Sequence, residues 1–103
     1  MDDLMLNIFG IISMADNYEE RKVANTEEEV FTLDTAAVTD RSWKYETAVK
    51  HKRFNNNQWV ILGGCDTKEK AIAMHDKWLA LLRQELPVLV DYYDHSIYFD
   101  DTL

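Results

Sequence analysis

Residues 44 to 86 read KYETAVKHKRFNNNQWVILGGCDTKEKAIAMHDKWLALLRQEL, and this stretch decides the fold. Its first part alternates. Tyr45, Thr47, Val49 and His51 share one face, opposite Lys44, Glu46, Ala48 and Lys50, which is the period of a strand. Asn55-Asn56-Asn57 follows, and asparagine tolerates the left-handed backbone that a tight turn needs. Gln58 to Leu62 is apolar on both faces, as expected of a central strand. The spacing therefore predicts a hairpin closed by the asparagine turn. Gly63-Gly64 ends its second strand, and Asp66 with Glu69 has the spacing of a capping box, Thr67 being the alternative cap. From Thr67 to Leu86 a helical period holds. Ala71, Met74, His75, Trp78, Leu82 and Leu86 fall on one stripe, while Lys70, Asp76, Lys77, Arg83 and Gln84 face away. Pro87 stops that helix.

Upstream, Val30 to Thr39 is rich in β-branched residues and reads as a strand. Its alternation slips, with Phe31 and Leu33 on one face and then Ala36 and Val38 on the other, so a bulge or bend is expected near Asp34. Val23 and Ala24 form a short, weakly signalled edge strand. Downstream, Val88 to Tyr93 and Ile97 to Phe99 read as short strands around a turn at Asp94-His95-Ser96. The sum is an α+β domain: an antiparallel β-sheet of three to five strands with one long amphipathic helix packed on it.

The first sixteen residues stand apart. From Leu4 to Ala15 nearly every residue is apolar, and Asp2, Asp3 and Asp16 lie only at the ends. Two carboxylates in a first turn favour a helix, because they face the positive end of its dipole. A secretory signal opens with Lys or Arg, so export is not expected. An apolar N-terminal helix is expected instead, with Leu4, Ile8 and Ile12 on one side and Met5, Phe9 and Ile11 extending it. Such a helix must be covered by the chain's own sheet, by another chain or by a membrane surface. Leu4, Met5, Ile8, Phe9, Ile11 and Ile12 are accordingly the candidate oligomer or partner contact. The organisation expected is thus an N-terminal helix or arm over residues 1–16 and one α+β domain over residues 17–103.

Composition narrows the function classes. A chain of 103 residues with 47% hydrophobic and 29% charged residues suits one folded domain. Three glycines and one proline leave no room for a glycine-rich phosphate loop. One cysteine excludes an intrachain disulfide and a cysteine-based zinc site. The net charge of -8 argues against bulk binding to nucleic acid, and no apolar run is long enough to span a bilayer.

Residues with chemical potential have plain alternatives. His51, His75 and His95 lack the spacing of a metal motif, and His75, between Ala71 and Trp78 on the apolar stripe, reads as a core histidine with one hydrogen-bond partner. A pH-sensitive meeting of His51 and His75 across the sheet–helix interface is the alternative. Cys65 sits beside a helix start, where a thiol can become nucleophilic, yet Asp66 next to it disfavours a thiolate. Pairs such as Asp100-Asp101 read as solvated surface. No nucleophile elbow and no paired catalytic acids are present, so the expectation is a protein that is not an enzyme and that takes no cofactor and no metal.

Charge is unevenly spread. Residues 1–34 carry Asp2, Asp3, Asp16, Glu19, Glu20, Glu27, Glu28, Glu29 and Asp34 against only Arg21 and Lys22, and residues 85–103 carry acids without Lys or Arg. Between them Arg41, Lys44, Lys50, Lys52 and Arg53 face only Glu46 over residues 41–58. Either the acidic ends fold over the basic hairpin within one subunit, or the patches steer head-to-tail association or docking on a charged partner. Trp43, Lys50, Lys52, Arg53 and Trp59 form a candidate basic–aromatic patch, of the kind that stacks on nucleotides and contacts phosphates.

The run from Tyr45 to Trp78 resembles a group of small proteins encoded by tailed phages and prophages. There a Tyr-Glu-Thr-Ala strand and a His precede an aromatic-Asn turn, a Trp-centred strand, an Asp-Thr-Lys-Glu helix start and a His-x-x-Trp. Tyr45, Glu46, Thr47, Ala48, His51, Phe54, Asn55, Trp59, Asp66, Thr67, Lys68, Glu69, His75 and Trp78 match. Tyr18 to Val23 and the Leu86-Pro87 exit are similar too. Gly63-Gly64-Cys65 departs from the Val-Glu-aromatic run of that pattern, so a role tied to its acidic residue has no counterpart here. The resemblance implies a phage protein and no particular reaction. The function expected is protein–protein association as a small structural or accessory virion component, self-associating or bound to other phage proteins. The alternatives are an early protein that binds and inhibits a host defence factor, or a nucleotide-binding sponge using Trp43, Trp59, Lys52 and Arg53. The location expected is the virion or the host cytoplasm.

Overall fold

The computed structural model describes residues 18–102. The N-terminal helix expected over residues 1–16, with its contact residues Leu4, Met5, Ile8, Phe9, Ile11 and Ile12, lies outside the described residues. From a helical turn at residues 18–21 the chain runs through β1 (Lys22–Glu27), β2 (Phe31–Ala37), β3 (Tyr45–His51), β4 (Trp59–Cys65), α1 (Lys68–Leu82), β5 (Val88–Val90) and β6 (Ile97–Phe99). The first four strands form one antiparallel sheet in the order β1-β2-β3-β4, and β5 and β6 form a separate two-stranded ribbon. The α+β reading therefore holds, with the strands divided between two sheets.

The hairpin forms as its sequence demands. Asn55, Asn56 and Asn57 all take left-handed backbone, at φ 51°, 53° and 60°, a conformation asparagine adopts at little cost. The turn closes through Asn57 N–H to the Phe54 carbonyl at 3.0 Å and Gln58 N–H to the Asn55 carbonyl at 2.9 Å. Thr67, not Asp66, caps α1, its hydroxyl accepting from Lys70 N–H at 3.2 Å. The helix ends at Leu82, four residues short of Leu86, because Leu86 precedes Pro87 and is driven out of helical backbone. Leu86 packs instead against the core, continuing the stripe by tertiary contact.

Directly paired residues share a face, so the register separates two buried layers. Toward α1 lie Phe31, Leu33, Val49, Val60 and Leu62, joined by Phe54, Leu82 and Leu89. Toward the other side lie Ala36, Val38, Ala48 and Trp59, with Tyr18 and Trp43 packed on them. The bulge expected near Asp34 is absent, since β2 pairs with β3 without a shift from Phe31 to Ala37. The slip in its pattern has another cause: both faces of β2 are covered, so it is apolar on both sides. The extra residues are Val23 in β1, opposite Thr35–Ala36, and Leu62 in β4, opposite Thr47–Ala48. The ribbon attaches to the free edge of β4 through Asp91 and Tyr92, which accept from Ile61 N–H and donate to the Ile61 carbonyl at 3.1 and 2.7 Å.

Candidate functional site

The least expected feature is a set of buried polar side chains on the sheet face away from α1. Asp34 of β2 and Glu46 of β3 are both 0% exposed. The phenol of Tyr18 donates to Asp34 Oδ1, as does Asn25 Nδ2 at 2.7 Å. Glu46 Oε1 accepts from Trp43 Nε1 at 3.1 Å and from Arg41 Nε at 3.2 Å. Their second oxygens, Asp34 Oδ2 and Glu46 Oε2, are buried with no hydrogen-bond partner among the described residues. Burial pushes the Glu46 carboxyl up to about 7, against the pull of Trp43 and Arg41. It raises Asp34 as well, and burial together with the Asp34 carboxylate raises the Tyr18 phenol.

Glu46 also ties two surface loops together. Arg41 stacks its guanidinium 4.4 Å from the centre of the Tyr93 ring. Trp43 meets Tyr92 and Tyr93 edge-on, at centroid distances of 4.9 and 6.3 Å. Gly64 makes this possible, because a Cβ there would overlap the Trp43 ring. The β2–β3 loop and the turn after β5 are thus clasped above one buried carboxyl.

On the α1 face the polar groups are satisfied. His75, 3% exposed, takes Thr35 Oγ1 at 2.8 Å on Nδ1 and Thr26 Oγ1 at 2.9 Å on Nε2, and Thr35 bonds Thr47 at 2.5 Å. His75 is a core histidine with two partners rather than one, and burial lowers its pKa. His51 stands apart, stacked on Phe31 and edge-on to Phe54, with Nδ1 accepting from Arg53 N–H at 3.1 Å. Burial, aided by the Arg53 charge, lowers its pKa. The two histidines have separate partners, and among the described residues no cluster of metal-ligating groups exists. The Cys65 thiol donates to the Thr67 carbonyl at 3.5 Å.

The candidate basic–aromatic patch is divided. Trp59 is buried, 6% exposed, with Trp43 half-buried in the same layer, so their faces serve packing. Lys50 pairs in register with Trp59, and with Lys52 it lines a shallow notch opposite Glu28 and Glu29. Arg53 Nε reaches Asp100 Oδ2 at 3.4 Å, while its carbonyl accepts from Asp101 N–H at 2.7 Å. Acidic segments therefore meet the basic hairpin within one chain. A cleft of about 220 Å³ at the end of the sheet, lined by His51, Arg53 and Arg83, has its guanidinium groups engaged by Asp100 and Glu28.

What remains outward is the ribbon. Val88 pairs with Phe99 and Val90 with Ile97, and these four share the outer face while Leu89 enters the core. Phe99, Ile97 and Val90 are 68%, 58% and 48% exposed, beside Tyr93 at 57% and Tyr92 at 45%. Sequence reasoning missed this surface because Val-Leu-Val and Ile-Tyr-Phe are apolar at every position, so alternation cannot mark the outer side. Among the described residues no helix is long and apolar enough to cross a membrane.

Comparison with protein-family models, with curated proteins and with solved structures gives no match to this chain.

Proposed function

We propose that this is a non-enzymatic protein that works by protein–protein association, in the setting its phage-like residues suggest: a small structural or accessory component of a virion. The observation that carries the reading is the outer face of the β5–β6 ribbon, where Val90, Ile97 and Phe99 lie together and about half or more exposed. An apolar stripe of this kind on a small domain supports reading the ribbon as a contact surface. The apolar residues Leu4, Met5, Ile8, Phe9, Ile11 and Ile12 supply a second contact in the same reading. The alternative is an early protein that binds a host factor through the same ribbon, in keeping with the net charge of -8.

Light scattering on the full chain tests the reading. A defined oligomer is expected, with Ile8→Asp giving smaller species of unchanged far-UV circular dichroism. Full-length protein that stays monomeric at every concentration removes self-association and moves the host-factor alternative ahead. High copy number in purified particles then separates a virion component from an early protein, which would be absent from them.

A further inference from the structure

The outer edge of β6 is an open strand edge facing a groove. Asp91 N–H bonds the Ser96 carbonyl and Asp100 N–H the Pro87 carbonyl, so residues 96, 98 and 100 turn their peptide groups toward β5. Alternate residues point the other way. Asp101 N–H does so, meeting the Arg53 carbonyl at 2.7 Å, and the N–H and C=O groups of Ile97 and Phe99 lie on that same side. Among the described residues no backbone group pairs with them. A groove of about 450 Å³ runs there, lined by Ile97, Tyr98 and Phe99 in succession, by Asp100 and Asp101, and across from them by Asn55 and Asn56. A cavity touched by three consecutive strand residues lies along the edge of the strand rather than over one face, because successive side chains alternate.

We propose that this edge receives an extended segment of another protein as a third strand, one that alternates apolar residues with Lys or Arg. The idea rests on the reading of the protein as an association module and names the kind of partner. Backbone pairing to Ile97 and Phe99 supplies the affinity, and the apolar side chains extend the stripe of Val90, Ile97 and Phe99. Charge selects the occupant. Residues 84–103 contain Glu85, Asp91, Asp94, Asp100 and Asp101 and no Lys or Arg. Asp91 is buried and Asp100 pairs with Arg53, so the negative charge of the rim rests on the exposed Asp94 and Asp101; a hydrogen bond from Ser96 N–H holds the Asp94 carboxyl below the usual range. Residues 1–17 of this chain hold acids only, and the β6 edge of a second copy would bring a second acidic rim. Both self-pairings therefore set like charges together.

The sequence of tests uses short fluorescein-labelled peptides of alternating Lys and Val, followed by anisotropy against the full chain. Saturable binding is expected, and the matching Glu–Val peptide should bind far more weakly. Phe99→Ala removes the ring alone and Phe99→Pro the ring and one outward N–H, and both leave the bonds to β5 in place, since proline is tolerated at an edge strand. Phe99→Pro should bind about tenfold more weakly than Phe99→Ala, the worth of a backbone hydrogen bond at the strong end of its range. Should that variant fail to fold, the Lys–Val peptide N-methylated at alternate residues decides the matter on the unaltered protein, with one of its two registers losing affinity. Equal binding of the Glu–Val peptide, equal binding by folded Phe99→Pro and Phe99→Ala, or no saturable binding overturns the proposal. So does a full-length dimer that Phe99→Pro dissolves, which would assign the edge to a second copy. The association reading can survive a failed peptide titration, because its own measurement is the mass of the full chain.

Discussion

Replacing Glu46 by glutamine should change how stability depends on pH more than it changes stability itself. The side chain is 0% exposed, with one oxygen held by Trp43 and Arg41 and the other without a partner. A carboxyl that titrates at about 4.5 unfolded and about 7 in the fold carries on the order of 3 kcal/mol of pH-dependent stability. Because folding raises this pKa, the contribution is fully present below the unfolded value and is lost as pH rises through the folded one. Glutamine keeps the accepting oxygen and cannot ionise. Its stability relative to wild type should therefore climb by on the order of 3 kcal/mol between about pH 4 and about pH 8. Asp34, raised in the same direction, and His51 and His75, lowered, are present in both proteins and cancel in the difference. Urea unfolding of the two proteins across that range measures it. A difference constant to within about 0.5 kcal/mol would show that Glu46 is not a buried ionisable carboxyl, and the reasoning falls.

Two further substitutions probe the opposite faces of the sheet. Thr35→Val keeps the volume but strips the hydroxyl that serves both His75 Nδ1 and Thr47, so it should cost about 1–3 kcal/mol in thermal unfolding; wild-type stability would refute the network. Gly64→Ala puts a Cβ inside the Trp43 ring, so the indole must leave Tyr92 and Glu46, with a red-shifted tryptophan emission and a loss of about 1–3 kcal/mol, whereas Gly63→Ala clashes with the flexible Met74 side chain, at Sδ 2.8 Å, and should cost less; equal effects would contradict the placement of Trp43.

The contrast between legible and illegible parts follows from period and burial. The asparagine turn, the Thr47–Val49 face and the Ala71–His75–Leu82 stripe are strong local signals, and the structure places each where its period implies. β1 was hard to read because Lys22–Glu27 is mostly polar and contains the extra residue Val23. Glu46 was placed correctly on the face opposite Val49, yet nothing in a Lys-Glu-Ala-Lys alternation shows that this face is covered. The covering comes from Trp43, three residues away, and from Tyr18, Tyr92 and Tyr93, which are distant in sequence. The ribbon escaped for the converse reason. Its residues look like core, and only the tertiary arrangement shows which half of them is outside.

The distribution of cost across the molecule bears on where function lies. The α1 side spends its polar groups well, with every nitrogen of His75 and the hydroxyls of Thr26, Thr35 and Thr47 engaged. On the other side two carboxylates are buried with an oxygen each unpaired, an arrangement that lowers stability. Local violations of this kind concentrate where something other than stability is being served. Glu46 supports that reading through its connections, since Arg41 and Trp43 carry its influence to Tyr92 and Tyr93, at the base of the ribbon. The ribbon is also pinned by Asp91 to Ile61, by Leu89 in the core and by Arg53 to Asp100 and Asp101. An apolar face held this firmly loses little conformational freedom on binding. That suits it to the partner proposed above, and the buried Glu46 carboxyl lies beneath the aromatic clasp at its base.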